Sequence, residues 1–196
     1  AVTYSFYATK TLATGEGGAI STSNAEMARS LRALRNHGLD PEAKTSTFIA
    51  AGQNTRMTEF QAALGVVQLG KLAHINAARA AGAARYAALL AQSPLRAPVV
   101  TEPGAHVFQS YVTLLPREAA PKRQELITEL RARGVETTIG TWHMPMTEYF
   151  RTRYDFQPGD FPVADDVFAR ALTLPLYEGL LPEQQETVVR EISAIL

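Results

Sequence analysis

Apolar positions recur along the 196 residues in two rhythms, one of strands and one of helices. Residues 2–7 are β-branched and aromatic and predict a strand. Gly15, Gly17 and Gly18 supply positive φ cheaply and predict a turn; Ala19–Thr22 then predicts a second strand. Ser23 with Glu26 has the spacing of a capping box, Leu31 and Leu34 mark apolar positions on the helix that follows, and Gly38 ends it. Residues 39–56 are polar and irregular, and a loop of that length in a compact domain is often functional. Thr58–Leu72 predicts a helix whose stripe of Phe60, Ala63, Leu64, Val67 and Leu72 reads as core or dimer contact. A second, alanine-rich helix is predicted from Asn76 to Gln92, and the three prolines between Ser93 and Gly104 mark a connector.

The rest of the chain has a different rhythm. Val107–Leu115 predicts a strand, Pro121–Arg133 a helix with Gly134 after its end, and Val135–Trp142 another strand. A loop with Pro145, Pro158, Gly159 and Pro162 follows. Val163–Ala171 then predicts a short helix, Leu172–Tyr177 an extended segment and Pro182–Ile195 a closing helix. From residue 105 onward this order describes a small α+β lobe, and the whole chain is of the α/β class.

Composition narrows the function. Lys+Arg and Asp+Glu both count 19, so the chain lacks the basic balance of a nucleic-acid binder. Without cysteine there is neither a disulfide framework nor a thiolate nucleophile, which is compatible with a cytoplasmic address. No apolar run approaches the roughly 20 residues that span a bilayer, and no signal peptide is visible. No membrane partner is expected. His37, His74, His106 and His143 show no metal-ligand spacing, so no metal is expected either. The chain opens in mid-strand, without Met, and reads as a fragment or a processed product.

The chemistry concentrates at Ser5-Phe6-Tyr7-Ala8-Thr9-Lys10-Thr11-Leu12-Ala13-Thr14-Gly15-Glu16-Gly17-Gly18. One lysine follows a strand, flanked by small and hydroxyl residues, ahead of a glycine turn. A lysine that forms a Schiff base must lose its proton, and a strand end in a partly desolvated pocket favours that. Ser5 is a hydroxyl donor nearby, fit for a phosphate oxygen. The bland alternative is an ordinary loop lysine. Arg56 is either a phosphate or carboxylate clamp or an ordinary helix-entry arginine. His37 reads as a helix-end cap. His143, beside Trp142, is either a substrate contact or a surface histidine. Glu16 complements a nearby helix amino end, and Asp165-Asp166 reads as the acidic first turn of a helix.

This string resembles the lysine motif of the DegT/DnrJ/EryC1/StrS family of sugar aminotransferases. The likeness continues in Leu31-Arg32-Ala33-Leu34-Arg35-Asn36-His37-Gly38, in Gly52-Gln53-Asn54-Thr55-Arg56-Met57, in Phe161-Pro162-Val163-Ala164 and in Leu172-Thr173-Leu174-Pro175-Leu176. The resemblance implies a fold-type-I transferase dependent on pyridoxal 5′-phosphate (PLP). Residues 1–98 would be the carboxy-terminal part of the large PLP-binding domain, and residues 99–196 the small α+β domain. Lys10 would carry the cofactor as the internal aldimine and act as general base. Ser5 would bind the cofactor phosphate, and Asn54 would reach the neighbouring subunit's site in a homodimer. The reaction implied moves an amino group from glutamate to a nucleotide-diphosphate keto-sugar. Arg56, Trp142 and His143 are candidate substrate contacts, although Thr141–Glu148 departs from the family's pattern there. The family's other cofactor-binding elements precede the lysine and fall outside these residues. An inactive fragment serving as a folding or interaction module is therefore a second reading. A sugar dehydratase of the same family is a third, disfavoured by Lys10 because the family's dehydratases carry His there.

Overall fold

The computed structural model describes residues 1–101 and 103–196. Glu102, within the predicted connector, lies outside the described residues. The chain forms two compact units, Ala1–His74 and Ile75–Leu196.

In the first unit β1 (Val2–Ser5) pairs antiparallel with β2 (Gly18–Ser21), in the register Val2 with Ser21 and Ser5 with Gly18. All eight strand residues are exposed. Helix α1 (Ala25–Arg35) follows, and its cap is one residue later than the sequence suggests. Asn24 Oδ1 accepts from Met27 N at 2.9 Å, so Ser23 and Glu26 form no capping box. Past its end the chain turns left-handed at His37 (φ 58°) and Gly38 (φ 81°), and Gly38 N donates to Ala33 O.

The predicted loop 39–56 is an ordered return. Gln53 N donates to Leu34 O, His37 N to Gln53 O, Thr55 N to Arg35 O and Ile49 N to Gly38 O, laying 49–55 against the end of α1. That approach requires glycine twice. A Cβ on Gly38 would sit 1.7 Å from Ala50 O, and one on Gly52 would sit 2.1 Å from Gly38 N.

Two helices were expected over 58–92, yet the structure has one, α2 (Glu59–Leu89), closing in a 3-10 turn at Leu90–Gln92. Ala73-His74-Ile75 carries no proline, glycine or capping residue, so nothing stops the helix there. The stripe at its start does not build a core: Phe60 is 90% exposed, and Leu64 and Val67 are also exposed.

In the second unit β3 (Tyr111–Leu114), β4 (Thr138–Ile139) and β5 (Ala171–Leu174) form an antiparallel sheet ordered β3-β5-β4. Thr113 Oγ1, fully buried, donates to Leu172 O at 2.9 Å. Helices α3 (Arg123–Ala132) and α6 (Pro182–Ile195) supply Leu126, Leu130, Val188 and Ile192 to the core, the second half of α2 supplies Tyr86, and the 3-10 turn after it supplies Leu90.

Both flanking strands are shorter than expected. Arg79 Nη1 donates to the carbonyls of Phe108, Gln109 and Leu176, which draws 107–110 out of the ladder. Thr138 and Ile139 alone of 135–142 pair with β5, and a Cβ on the next residue, Gly140, would meet Ala171 Cβ at 2.7 Å. The predicted loop after Trp142 holds a 3-10 turn (Met144–Met146) and a short helix α4 (Glu148–Tyr154), and α5 (Pro162–Arg170) leads directly into β5. Phe150, Tyr154 and Phe156 stack in sequence along this segment, an aromatic contact that outweighs its turn-forming residues. Among the described residues no helix is long and apolar enough to cross a membrane.

Candidate functional site

Lys10 sits in the loop that joins β1 to β2, and it is half-buried. Phe6 N donates to Gly17 O at 2.9 Å and Thr14 N to Phe6 O at 2.8 Å, so the hairpin ladder continues past the strands and pinches off residues 7–13. Within that loop Lys10 N donates to Tyr7 O at 2.9 Å, a tight turn that fixes the lysine's Cα. Tyr7 N donates to Ser5 Oγ at 3.3 Å, which orients the Ser5 hydroxyl and leaves its own proton to donate elsewhere. The structure thus brings Ser5 and Lys10 onto one short stretch of backbone.

Two residues that sequence reasoning passed over hold this loop. Thr14 is buried and donates from Oγ1 to Glu16 O at 2.6 Å. Gln61 and Thr58 cap α2 reciprocally: Gln61 N donates to Thr58 Oγ1 at 3.3 Å and Thr58 N to Gln61 Oε1 at 3.0 Å. The remaining Gln61 group, Nε2, donates to Glu16 O at 2.9 Å. What Glu16 offers the start of α2 is therefore its backbone carbonyl. The Thr-x-x-Gln spacing is legible as a capping box; its reach back to Glu16 is not.

Asn54 and Arg56 are exposed on the segment lying along the end of α1. Asn54 bridges Asn36, and Arg56 Nη1 donates to Asn36 Oδ1 at 2.5 Å. His37, expected to cap carbonyls, donates its backbone N–H to Gln53 O. Arg29 clamps the following loop, with Nε 3.1 Å from Asp40 Oδ1 and Nη2 2.5 Å from Oδ2. That fork holds the Asp40 carboxyl below its usual range.

Trp142 and His143 belong to the second unit. Trp142 is 70% exposed, while the His143 side chain is only 5% exposed, so the surface-histidine reading fails. His143 Nε2 lies 2.5 Å from Asp165 Oδ1, and its ring meets Phe168 edge-on at 5.5 Å between centroids. Asp165 Oδ2 accepts from Gly159 N at 3.1 Å. Asp165 lies in the first turn of α5 as expected, whereas Asp166 lies one residue beyond that turn, between Arg117 and Arg170 at 2.9 Å each. Among the described residues no cluster of His, Asp or Glu could hold a metal ion.

The residues present match what a phosphate-bearing carbonyl cofactor asks of this segment: an amine on a rigid, half-buried turn beside a hydroxyl with a proton to donate.

Comparison with known proteins gives a consistent picture. The profile of the DegT/DnrJ/EryC1/StrS aminotransferase family matches residues 1–193. The chain is 32% identical to the spore coat polysaccharide biosynthesis protein SpsC of Bacillus subtilis, over 100% of this chain and 54% of that protein. It is 32% identical to GDP-perosamine synthase of Caulobacter vibrioides, over 99% of this chain and 52% of that one. Among solved structures, NtdA of Bacillus subtilis with bound cofactor PMP superposes with a TM-score of 0.84 at 26% identity, covering 98% of this chain and 45% of that chain. The chain spans about half the length of these relatives.

Proposed function

This chain belongs to the DegT/DnrJ/EryC1/StrS aminotransferase family, and on that premise we propose that it holds PLP on Lys10 and, in the whole protein, transfers an amino group from glutamate to a nucleotide-diphosphate keto-sugar. The observation that carries this reading is the Lys10 turn, pinched between Phe6 and Thr14 and tied to the start of α2 through Glu16 and Gln61. GDP-perosamine synthase, by its name, handles a nucleotide-linked sugar, and the NtdA structure holds PMP, the amine form of the same cofactor.

When bound, the cofactor withdraws electrons from the carbon bearing the migrating amine and stores that amine between the two half-reactions. Lys10 Nζ would hold the cofactor covalently and, when free of it, would serve as the base that takes and returns the migrating proton. The turn at Tyr7–Lys10 restricts where Nζ travels. Ser5 Oγ would donate its proton to the cofactor phosphate while accepting from Tyr7 N. Asn54 offers its amide to the phosphate held by a second copy, so the protein works as a homodimer with shared sites. Arg56, Trp142 and His143 serve the substrate, His143 from behind Trp142. Residues 1–98 complete the large domain, residues 99–196 form the small one, and the protein is cytoplasmic.

The test is glutamate-dependent amination of a UDP- or dTDP-linked 4-keto-hexose, followed by mass analysis of the sugar. An aminated product with the native protein and none with Lys10→Ala is expected. A dehydrated, unaminated sugar would instead indicate the dehydratase reading. A second reading, a folding or interaction module, is favoured by one observation: all eight residues of β1 and β2 are exposed. Amination by the chain as it stands would exclude it.

A further inference from the structure

Glu16 offers one backbone carbonyl, and two side chains far apart in sequence fill it. Thr14 Oγ1 donates to Glu16 O at 2.6 Å and Gln61 Nε2 donates to it at 2.9 Å. Both lone pairs of that oxygen are thereby used. The carbonyl lies at the base of the Lys10 loop. The next residue, Gly17, accepts from Phe6 N, and Phe6 O accepts from Thr14 N; these are the two bonds that pinch off residues 7–13. Hydrogen bonds therefore link the start of α2 to the root of the lysine turn, through Gln61, Glu16, Thr14 and Phe6.

The Gln61 amide can point only one way. Its Oε1 is held by Thr58, which donates from N at 3.0 Å and from Oγ1 at 2.9 Å, and a backbone N–H can only donate. The amide nitrogen then faces Glu16 O, which can only accept. Helix capping alone does not ask for this residue. A capping box is closed by Glu as well as by Gln, and at a helix amino end a carboxylate also complements the dipole. What Glu lacks is the donor. One turn further on, α2 approaches the loop again. A Cβ on Gly65 would sit 3.3 Å from Thr14 Cγ2, so Gly65 leaves the buried Thr14 its seat. Gln61 and Gly65 share one helix face at i and i+4.

We infer that Gln61 is a positioning residue for Lys10: it holds the base of the lysine turn still, so that Nζ meets a carbonyl carbon from a preset place. Its amide is spent on Thr58 and Glu16, so it acts on Lys10 through the loop. A turn whose root swings costs the amine its alignment even where the fold keeps its stability. The inference rests on the function proposed above, in which Lys10 carries PLP.

Variants of the full chain separate positioning from capping. Gln61→Glu keeps the cap and loses the donor to Glu16 O, whereas Thr58→Ala loses the cap's hydroxyl and keeps that donor. Thr14→Val removes the second donor without adding charge, and Thr14→Ser restores a hydroxyl. Two quantities are read: hydrogen exchange of the Lys10 and Thr14 amides by NMR without PLP, and the rate at which borohydride-trapped PLP accumulates on Lys10. In Gln61→Glu and Thr14→Val exchange is expected to quicken and attachment to slow, each about tenfold, with Thr14→Ser near native. Thr58→Ala is expected to lower the melting temperature and leave both quantities as in the native chain. Exchange is read without the cofactor, so the carboxylate introduced at position 61 cannot act there through a phosphate. Native-like exchange or attachment in Gln61→Glu, or an equal shift in Thr58→Ala, would overturn the inference and leave PLP on Lys10 standing. If circular dichroism shows Gln61→Glu unfolded, Thr14→Val against Thr14→Ser decides by the same two quantities. No attachment to the native chain would overturn the PLP reading instead, and exchange alone then decides whether Gln61 holds the turn.

Discussion

His143 Nε2 and Asp165 Oδ1 lie 2.5 Å apart, joining the segment after β4 to the first turn of α5 across 22 residues of sequence. The residue before His143, Trp142, stands exposed. One side chain is thus buried against Asp165 and Phe168 while its neighbour is displayed, so the pair fixes where the indole sits. Asp165→Asn should lower stability by about 1–2 kcal/mol, since it replaces a charge-assisted hydrogen bond with a neutral one. His143→Gln, which keeps a donor near Nε2, should retain more than His143→Phe. Trp142 is the chain's single tryptophan, so its fluorescence anisotropy decay reads the effect directly. The fast local component should grow in Asp165→Asn and His143→Phe. Unchanged decay in both would contradict a positioning role.

Tyr86 and Tyr111 offer a contrast inside one core. Their rings pack at 5.0 Å, and both are essentially fully buried. Tyr86 donates its hydroxyl to Pro175 O at 2.9 Å, whereas the Tyr111 hydroxyl has no partner among the described residues. Tyr86→Phe should therefore cost about 1–2 kcal/mol, and Tyr111→Phe should be neutral or stabilising by up to about 1 kcal/mol. Chemical denaturation at neutral pH distinguishes them.

Burial also pushes the Tyr111 hydroxyl up to about 12, and Tyr86 is raised in the same direction by the same cause. The folded state holds these protons more tightly than the unfolded state does. The corresponding stability is fully present below the ordinary value of 10.0 and is lost as pH rises from there towards 12. Ultraviolet titration of the tyrosines should show these two ionising only above that ordinary value. Ionisation of either at its ordinary value in a folded chain would contradict the buried environment.

Gly38 and Gly134 share a left-handed φ of about 80° but not their surroundings. A Cβ on Gly38 collides with Ala50 O, while one on Gly134 meets nothing within 4 Å. Gly134→Ala should cost about 1 kcal/mol of backbone strain. Gly38→Ala should cost at least about 2 kcal/mol and loosen the 39–56 return, exposing it to protease. Equal effects in thermal melts would show that the close approach of Gly38 and Ala50 is not held in solution.

Sequence and structure agree where the determinants are local. The hairpin around Lys10 was readable because β-branched residues and glycines punctuate it, and α6 begins at Pro182 and ends at Ile195 as read, because proline at the first helical position marks the start. They part where a distant contact decides. The single helix α2 was divided in the reading because its apolar stripe fades after Leu72, although no residue there breaks a helix. Arg79's hold on three carbonyls shortens β3, and no local pattern announces it. Of the candidate site, the segment bearing Ser5 and Lys10 was legible. The supports that Thr14 and Gln61 give it, and the burial of His143 on Asp165, depend on residues brought together only by folding.

The central claim is that Lys10 carries the cofactor. Borohydride reduction of the protein incubated with PLP, followed by intact and peptide mass analysis, tests it most directly. The account predicts one phosphopyridoxyl group on the peptide containing Lys10, and none on Lys10→Ala. A folded protein reduced without any adduct on Lys10 would contradict it.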